Sequence, residues 1–309
     1  QTDLEFILGW DDCVLGKLNN ALAHYQKSLN FWQQEAEKIE GTLQLKKQGI
    51  ILYYMALCYR LKATSNSRKN REEWEKSYEL LKNSIQVLED ANRPELVAEV
   101  IILLEEVLQK LEAWEELELV AKRGIELHFQ YSSHKQVARD YGFLAEVALA
   151  SSSWEKANQL AALALEILEQ GGESLPAEGN LYRLLLARSL KQIGGDRQAL
   201  ELLEISRTTE KDCLQKSHFS LNSDRPQLYL DILNELRSLY YQRGEYLNAF
   251  RLKKEQRQVE HQLECQQQIG ATGLSQTPSL VPEEIAASSR QQDIKNLLER
   301  ISRDDYKLI

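Results

Sequence analysis

Five prolines and fourteen glycines in 309 residues leave long stretches with nothing to break a helix. Runs of β-branched residues alternating with polar ones are absent, so no sheet is expected. No uninterrupted apolar stretch reaches the roughly eighteen residues that suggest a membrane span. The N-terminus carries no signal-peptide pattern, and the chain opens at Gln1 rather than Met, which reads as a cut or processing boundary. The four cysteines, Cys13, Cys58, Cys213 and Cys265, lie far apart and share no metal or redox spacing. Free thiols in a reduced, cytoplasmic setting are therefore expected. Basic residues number 38 against 47 acidic ones, a formal charge of -9. That balance argues against non-specific nucleic-acid binding, which needs a broad basic footprint. No GxxxxGK[ST] phosphate loop occurs, so these residues are expected neither to bind nor to hydrolyse ATP.

The chain is rich in Leu, Glu, Gln, Lys and Ala, and three tryptophans give it a period. Trp74, Trp114 and Trp154 stand forty residues apart, each heading a helical stretch. Counted from each Trp, position +3 holds Ser77, Leu117 and Ala157, and position +7 holds Leu81, Ala121 and Ala161. Position +10 holds Ser84, Gly124 and Ala164; position +11 holds Ile85, Ile125 and Leu165. These spacings fall on one face of a 3.6-residue helix, with small residues where a second helix must come close. A period of this length with one amphipathic helix pair per unit predicts a helical solenoid. A solenoid can be long without a second core.

Taken in order, the first unit runs through Leu8-Gly9, Gly16, Leu18, Ala21, Tyr25, Ser28 and Leu29. The second has its first helix over 49–61, then a polar insertion, 62–71, ahead of the Trp74 helix. The third pairs 95–111 with the Trp114 helix, opened by Pro94. The fourth sets 137–150 before Trp154. The fifth spans 180–206 around a Gly194-Gly195 turn. The sixth spans 231–252, with Leu236, Tyr240, Gly244, Tyr246 and Ala249 in register, and its second helix turns polar at Lys253, Gln256 and Arg257, as a solvated end requires.

The intervals Leu-Gly, Gly, Ala, aromatic, small and Leu resemble those of the tetratricopeptide repeat, over roughly residues 2–263. The resemblance implies an all-α fold: a right-handed α-α superhelix of about six helix pairs, with repeats longer than the family's usual thirty-four residues or so. Residues 1–265 read as the repeat domain. Residues 266–284, with Gly, Ser, Thr and Pro breakers, read as a linker. Residues 285–309 read as a helix carrying the stripe Ile294, Leu297, Leu298 and Ile301, then the start of a strand at 305–309. This tail is similar to the segment ahead of the nucleotide-binding domain in bacterial, notably cyanobacterial, STAND-type signalling NTPases. The resemblance implies a repeat region ending just before its ATPase.

The candidate chemistry is sparse. His128 and His134 are six residues apart and Cys213 and His218 five, and neither spacing puts two ligands on one helical face. Ordinary surface or loop roles are expected for them, with no metal and no cofactor. Glu105-Glu106 and Glu115-Glu116 read as solvated faces rather than paired carboxylates. No nucleophile with a positioned base is recognisable, so a non-enzymatic protein is expected. The tryptophans are expected to pack on the preceding helix. The basic insertion Arg68-Lys69-Asn70-Arg71 reads as a loop, or more sharply as a contact for an acidic partner.

In the resembled family the first helix of each repeat lines a concave groove. The matching positions are Asp3, Phe6, Trp10 and Cys13 in the first unit and Tyr53 and Arg60 in the second. Glu99, Glu106 and Lys110 follow in the third, and Arg139 and Glu146 in the fourth. Arg188, Lys191 and Gln192 come from the fifth, and Asn234, Ser238, Tyr241 and Gln242 from the sixth. The family's chaperone-tail clamp needs Lys and Asn where Phe6 and Trp10 stand, which disfavours that role. The partner-binding groove is placed on Arg139, Arg188, Lys191, Gln192, Asn234, Tyr241 and Gln242. It is expected to take a protein or peptide with acidic groups or a free C-terminal carboxylate. Equally open is that these charges pair with Glu or Asp on neighbouring helices. Three functions follow: the sensing scaffold of a STAND-type ATPase, a stand-alone peptide-sensing repeat regulator, or an enzyme with an unrecognised site.

Overall fold

The computed structural model describes residues 2–34, 41–65, 71–171, 179–216 and 225–272. These form twelve α-helices and, among the described residues, no strand. In chain order they are α1 (Thr2–Val14), α2 (Leu18–Gln34), α3 (Gly41–Ser65), α4 (Arg71–Asp90), α5 (Pro94–Leu111) and α6 (Trp114–Tyr131). There follow α7 (His134–Ala150), α8 (Trp154–Gln170), α9 (Gly179–Gln192), α10 (Asp196–Lys216), α11 (Arg225–Gln242) and α12 (Tyr246–Thr272). The chain divides into two units, residues 1–259 and 260–309. In the second, the described residues are 260–272, the C-terminal part of α12.

Within the first unit, helices from α1 to α11 pack on their chain neighbours, and the odd-numbered helices α3, α5, α7, α9 and α11 also touch one another in succession. This is the arrangement of an α-solenoid, with the first helix of each pair on a shared side. The period explains the packing. Ser77, Leu117 and Ala157 at +3 are all fully buried, as are Leu81, Ala121 and Ala161 at +7. Small residues on this face let the helices close. An added Cβ at Gly49 of α3 would meet Leu88 at 2.5 Å, so α3 and α4 could not approach as they do with any larger residue. The serines of this face are satisfied across the interface: Ser77 Oγ donates to the Ala56 carbonyl at 2.9 Å and Ser84 Oγ to that of Gly49 at 2.7 Å.

The turns inside the pairs share one device. Gly16, Glu112, Ser152, Gly194 and Gly244 all have positive φ, one in each described turn between the two helices of a pair. Three are the glycines that this conformation favours; Glu112 and Ser152 are not, and their backbone is strained.

The expected boundaries differ at α12. The helix runs on to Thr272, so residues 266–272, expected to open the linker, are helical. Gln266, Gln267, Gln268 and Ile269 contain no breaker and carry the helix past Cys265. The rest of the expected linker, the helix over 285–309 and the strand at 305–309 lie outside the described residues, as do Arg68, Lys69 and Asn70 of the basic insertion. Arg71 opens α4 and pairs with Glu75 at 2.9 Å. Among the described residues no helix is long and apolar enough to cross a membrane.

Candidate functional site

The odd helices leave a groove of about 1000 Å³ along their shared side. Its walls are the polar stripes of α5, α7, α9 and α11, which remain after each helix has buried its flanks between neighbours. Phe143 of α7 and Leu184 of α9 form part of its floor, together with Trp114 and Trp154. Both tryptophans begin their helices and are only partly buried. Trp114 packs against the core formed with α5, and both tryptophans line the groove.

Seven basic and four acidic side chains line this groove, in a chain whose total is -9. From α3 and α5 come Arg60 and Lys110; from α7, Lys135 and Arg139; from α9 and α11, Arg188, Lys191 and Arg225. The acids are Glu106, Glu146, Asp231 and Glu235. Ion pairs run from helix to helix. Glu106 accepts from Arg60 at 2.6 Å and lies 3.6 Å from Arg139, whose guanidinium also sits over the Phe143 ring at 5.4 Å. Arg188 reaches Glu235 at 3.0 Å and Asp231 at 3.5 Å; Lys191 reaches Glu235 at 3.2 Å and Ser238 at 3.0 Å. Gln109 donates to Glu146. Burial pushes the Glu146 carboxyl above its ordinary value, against the pull of Gln109, Lys110, Arg188 and Arg139. Proton uptake there would raise the positive excess further. Lys110 has no ion pair among the described residues and is exposed.

Of the residues expected to bind a partner, Arg139, Arg188, Lys191 and Gln192 line this groove together. Asn234, Tyr241 and Gln242 do not. Tyr241 is 66% exposed and stacks edge-on against Tyr246 at 5.4 Å, at the turn into α12. Of the two readings left open for these cations, pairing with carboxylates of a neighbouring helix is what Arg188 and Lys191 show. Asp231 and Glu235, four apart on α11, share a face that meets Arg188 and Lys191, three apart on α9. The signal was in the sequence as two helical spacings one repeat apart. Phe6 and Tyr53, candidates at the other end, are engaged in packing. Phe6 lies 5.5 Å from Tyr25 and 5.2 Å from Tyr54, and Tyr53 lies 5.4 Å from Tyr54, centroid to centroid.

Two further expectations are overturned. His128 is no surface residue and Glu105 is not on a solvated face: both are fully buried, with Asp140 beside them. His128 Nδ1 lies 2.8 Å from Asp140 Oδ2, and Nε2 lies 2.9 Å from the Ala98 carbonyl. With Asp140 ionised both partners are acceptors, an arrangement that favours a hydrogen on each ring nitrogen. Burial opposes a charge on the ring, but the Asp140 hydrogen bond and charge raise the His128 pKa above its ordinary value. Glu105 is held well above the carboxylate range, first by burial and then by Asp140. Burial raises Asp140 as well, against the pull of His128, so the three groups titrate as one coupled set in which a charge on His128 offsets one on Asp140. The cluster needs close approach: a Cβ on Gly124 would stand 3.1 Å from both Asp140 Oδ1 and Glu105 Oε1. None of the three lines the groove; the cluster joins α5, α6 and α7 through the His128 contacts to Asp140 and the Ala98 carbonyl. Among the described residues no group of three or more His, Cys, Asp or Glu is placed to hold a metal ion.

No family model matches this chain. In sequence it is similar to an uncharacterised WD repeat-containing protein of Synechocystis sp., 24% identical over 266 residues and 79% of this chain. The chain spans 15% of that relative's length. In structure it is similar to BtubC (BKLC) from P. vanneervenii, with a TM-score of 0.59, 12% identity, and coverage of 86% of this chain and 96% of that one. It is also similar to the apo form of RapI, with a TM-score of 0.56, 12% identity, and coverage of 85% and 98%. With the repeat spacing and the helix packing, these likenesses define a tetratricopeptide-like α-solenoid.

Proposed function

We propose that the chain is a non-enzymatic, cytoplasmic capture scaffold that holds a protein or peptide segment in the groove of α3 to α11. The observation that carries this reading is the basic lining of that groove in an acidic chain, beside Trp114 and Trp154. A segment with carboxylates, or a free C-terminus, fits that chemistry. Arg139 offers a planar fork, Lys110 an unpaired charge, and the indoles an apolar wall. The pair of Arg139 with Glu106 does not forbid this, because at 3.6 Å it is long and the Arg139 side chain is 37% exposed.

The scaffold is further proposed to be the sensing part of a larger STAND-type signalling protein. The tail's similarity to the segment ahead of such ATPases supports this, and so does the match to a small part of a much longer relative. The coding sequence beyond Ile309 tests it: a glycine phosphate loop within about fifteen residues is expected. Its absence there would favour the stand-alone regulator.

The groove is tested with labelled acidic peptides, free or amidated at the C-terminus, against lysine-rich controls. Acidic peptides should bind, and Lys110→Glu with Arg139→Gln should weaken them more than tenfold, about 1.4 kcal/mol. Reversing Arg188 and Lys191 is a poorer test, since it would crowd carboxylates against Asp231 and Glu235. Unchanged affinity in the folded Lys110 and Arg139 variant would move the site out of this groove.

A further inference from the structure

Two cysteines that the sequence separates by forty-five positions meet in the fold. Cys13 of α1 and Cys58 of α3 lie with their sulfurs 3.7 Å apart, the Cys58 S–H donating to Cys13 Sγ. Cys58 is fully buried, while Cys13 is partly open to solvent. Aromatic rings wall the pair: Phe6, Tyr25 and Tyr54 stand within 5.2–5.9 Å of one another, centroid to centroid. Charge on the two sulfurs contributes to raising the Tyr25 phenol, and charge on Cys13 to raising that of Tyr54, after burial in each case. The Tyr25 hydroxyl is buried without a hydrogen-bond partner. That leaves a donor unused within reach of the sulfurs' field.

We propose that Cys13 and Cys58 form a peroxide-sensitive redox pair that closes to a disulfide, fastening α1 to α3. Cys13 is the attacking sulfur, because a peroxide can reach it and cannot reach Cys58. Its thiolate cleaves the peroxide O–O bond, giving a Cys13 sulfenic acid and one water or alcohol. Cys58 then attacks the sulfenic sulfur; the S–S bond forms, the S–O bond breaks, and the departing hydroxide takes the Cys58 proton as water. Two thiols are oxidised by two electrons and one peroxide is reduced. The sulfurs need close only from contact distance to a bond of about 2.05 Å.

The electrostatics agree with this division of roles. The hydrogen bond from Cys58 holds the Cys13 thiol below its ordinary value, against the opposing effect of burial. The same bond, then burial and the Cys13 charge, push Cys58 far up. Once Cys13 is a sulfenic acid, its negative charge is gone, and part of what keeps Cys58 protonated goes with it. The staple skips α2, whose Tyr25 packs beside both Phe6 of α1 and Tyr54 of α3, and so ties the first helix pair to the second.

The test uses the whole reduced chain and hydrogen peroxide at stoichiometric dose. The expected product is a monomer lighter by two hydrogens, in which a proteolytic map joins the Cys13 and Cys58 peptides and dithiothreitol restores both thiols. In Cys58→Ser, a sulfenic acid on Cys13 should accumulate and be trapped by dimedone; in Cys13→Ser, Cys58 should stay alkylatable after denaturation. Oxidation should also slow amide exchange in α1. Wild-type chain that becomes over-oxidised at Cys13 with Cys58 still free, or that oxidises first at Cys213, would overturn the pairing. The wild-type map decides even if either serine variant folds poorly.

Discussion

The two helices of each repeat do different work. The even helices α6 and α8 each bury four residues, spaced along one face: Leu117, Ala121, Gly124 and His128 in one, Ala157, Ala161, Ala164 and Leu168 in the other. The odd helices α5 and α7 each bury nine, because they are flanked on both sides and touch the next odd helix as well. What an odd helix has left is a narrow stripe, and that stripe is the groove. An even helix therefore tolerates any chemistry outside its one face. An odd helix divides between interior and ligand side within adjacent positions: Glu105 goes inside, and Glu106 faces Arg60 and Arg139.

The largest expected effect tests the interior side of an odd helix. Asp140→Ala leaves the buried His128 ring and Glu105 without their shared partner, and should cost about 3–5 kcal/mol in denaturant unfolding. The even helix is tested next. Ala161→Phe puts a ring where Ala161 is fully buried against α7 and should cost about 1–3 kcal/mol.

A third variant probes the cluster through pH. Glu105 keeps its proton in the fold while the unfolded chain loses it above the ordinary value of 4.5, so stability falls as pH rises from there toward its folded value. His128, also raised, is charged in the fold where the unfolded ring is neutral, so its contribution is lost as pH rises through its folded value. Arg139 opposes the rise at Glu105 and Asp140, and Glu99 adds to that at His128. Gln in place of Glu105 keeps a donor toward Asp140 and cannot ionise. Glu105→Gln should therefore flatten the decline in melting temperature as pH rises above the ordinary carboxylate value of 4.5. A decline as steep as wild type's would place the titration elsewhere.

The smallest effect is a gain at a turn. Ser152 holds φ 57° where the equivalent turns after α1, α9 and α11 use glycine. Ser152→Gly should raise stability by about 0.5–1 kcal/mol, the relief of left-handed strain less the added chain entropy. A loss of stability would mean that side-chain contacts at this turn outweigh the strain.

These comparisons also mark what was legible beforehand. The fold was, because the tryptophan period placed the +3 and +7 residues in three helices at once, and all are buried. The same period, carried to +14, aligns His128 with Leu88 and Leu168, and all three are buried. Judging His128 by residue type rather than by position hid it. Arg188 and Lys191 were legible as groove residues. Their carboxylate partners were not, since Asp231 and Glu235 meet them only once α9 and α11 stack. Cys13 and Cys58 were likewise invisible to spacing, since α1 and α3 meet around an intervening helix.

The division of labour between odd and even helices is tested most directly by photo-crosslinking a carboxylate-rich peptide to the chain and mapping the adducts by mass spectrometry. Adducts should fall on the groove stripe, around Lys110 of α5, Arg139 of α7 and Lys191 of α9. Basic positions on the even helices that are more exposed than Lys191 or Arg139, such as Lys122 and Lys156, should remain unmodified. Adducts concentrated on the even helices, or spread evenly over all lysines, would contradict the groove as the binding face.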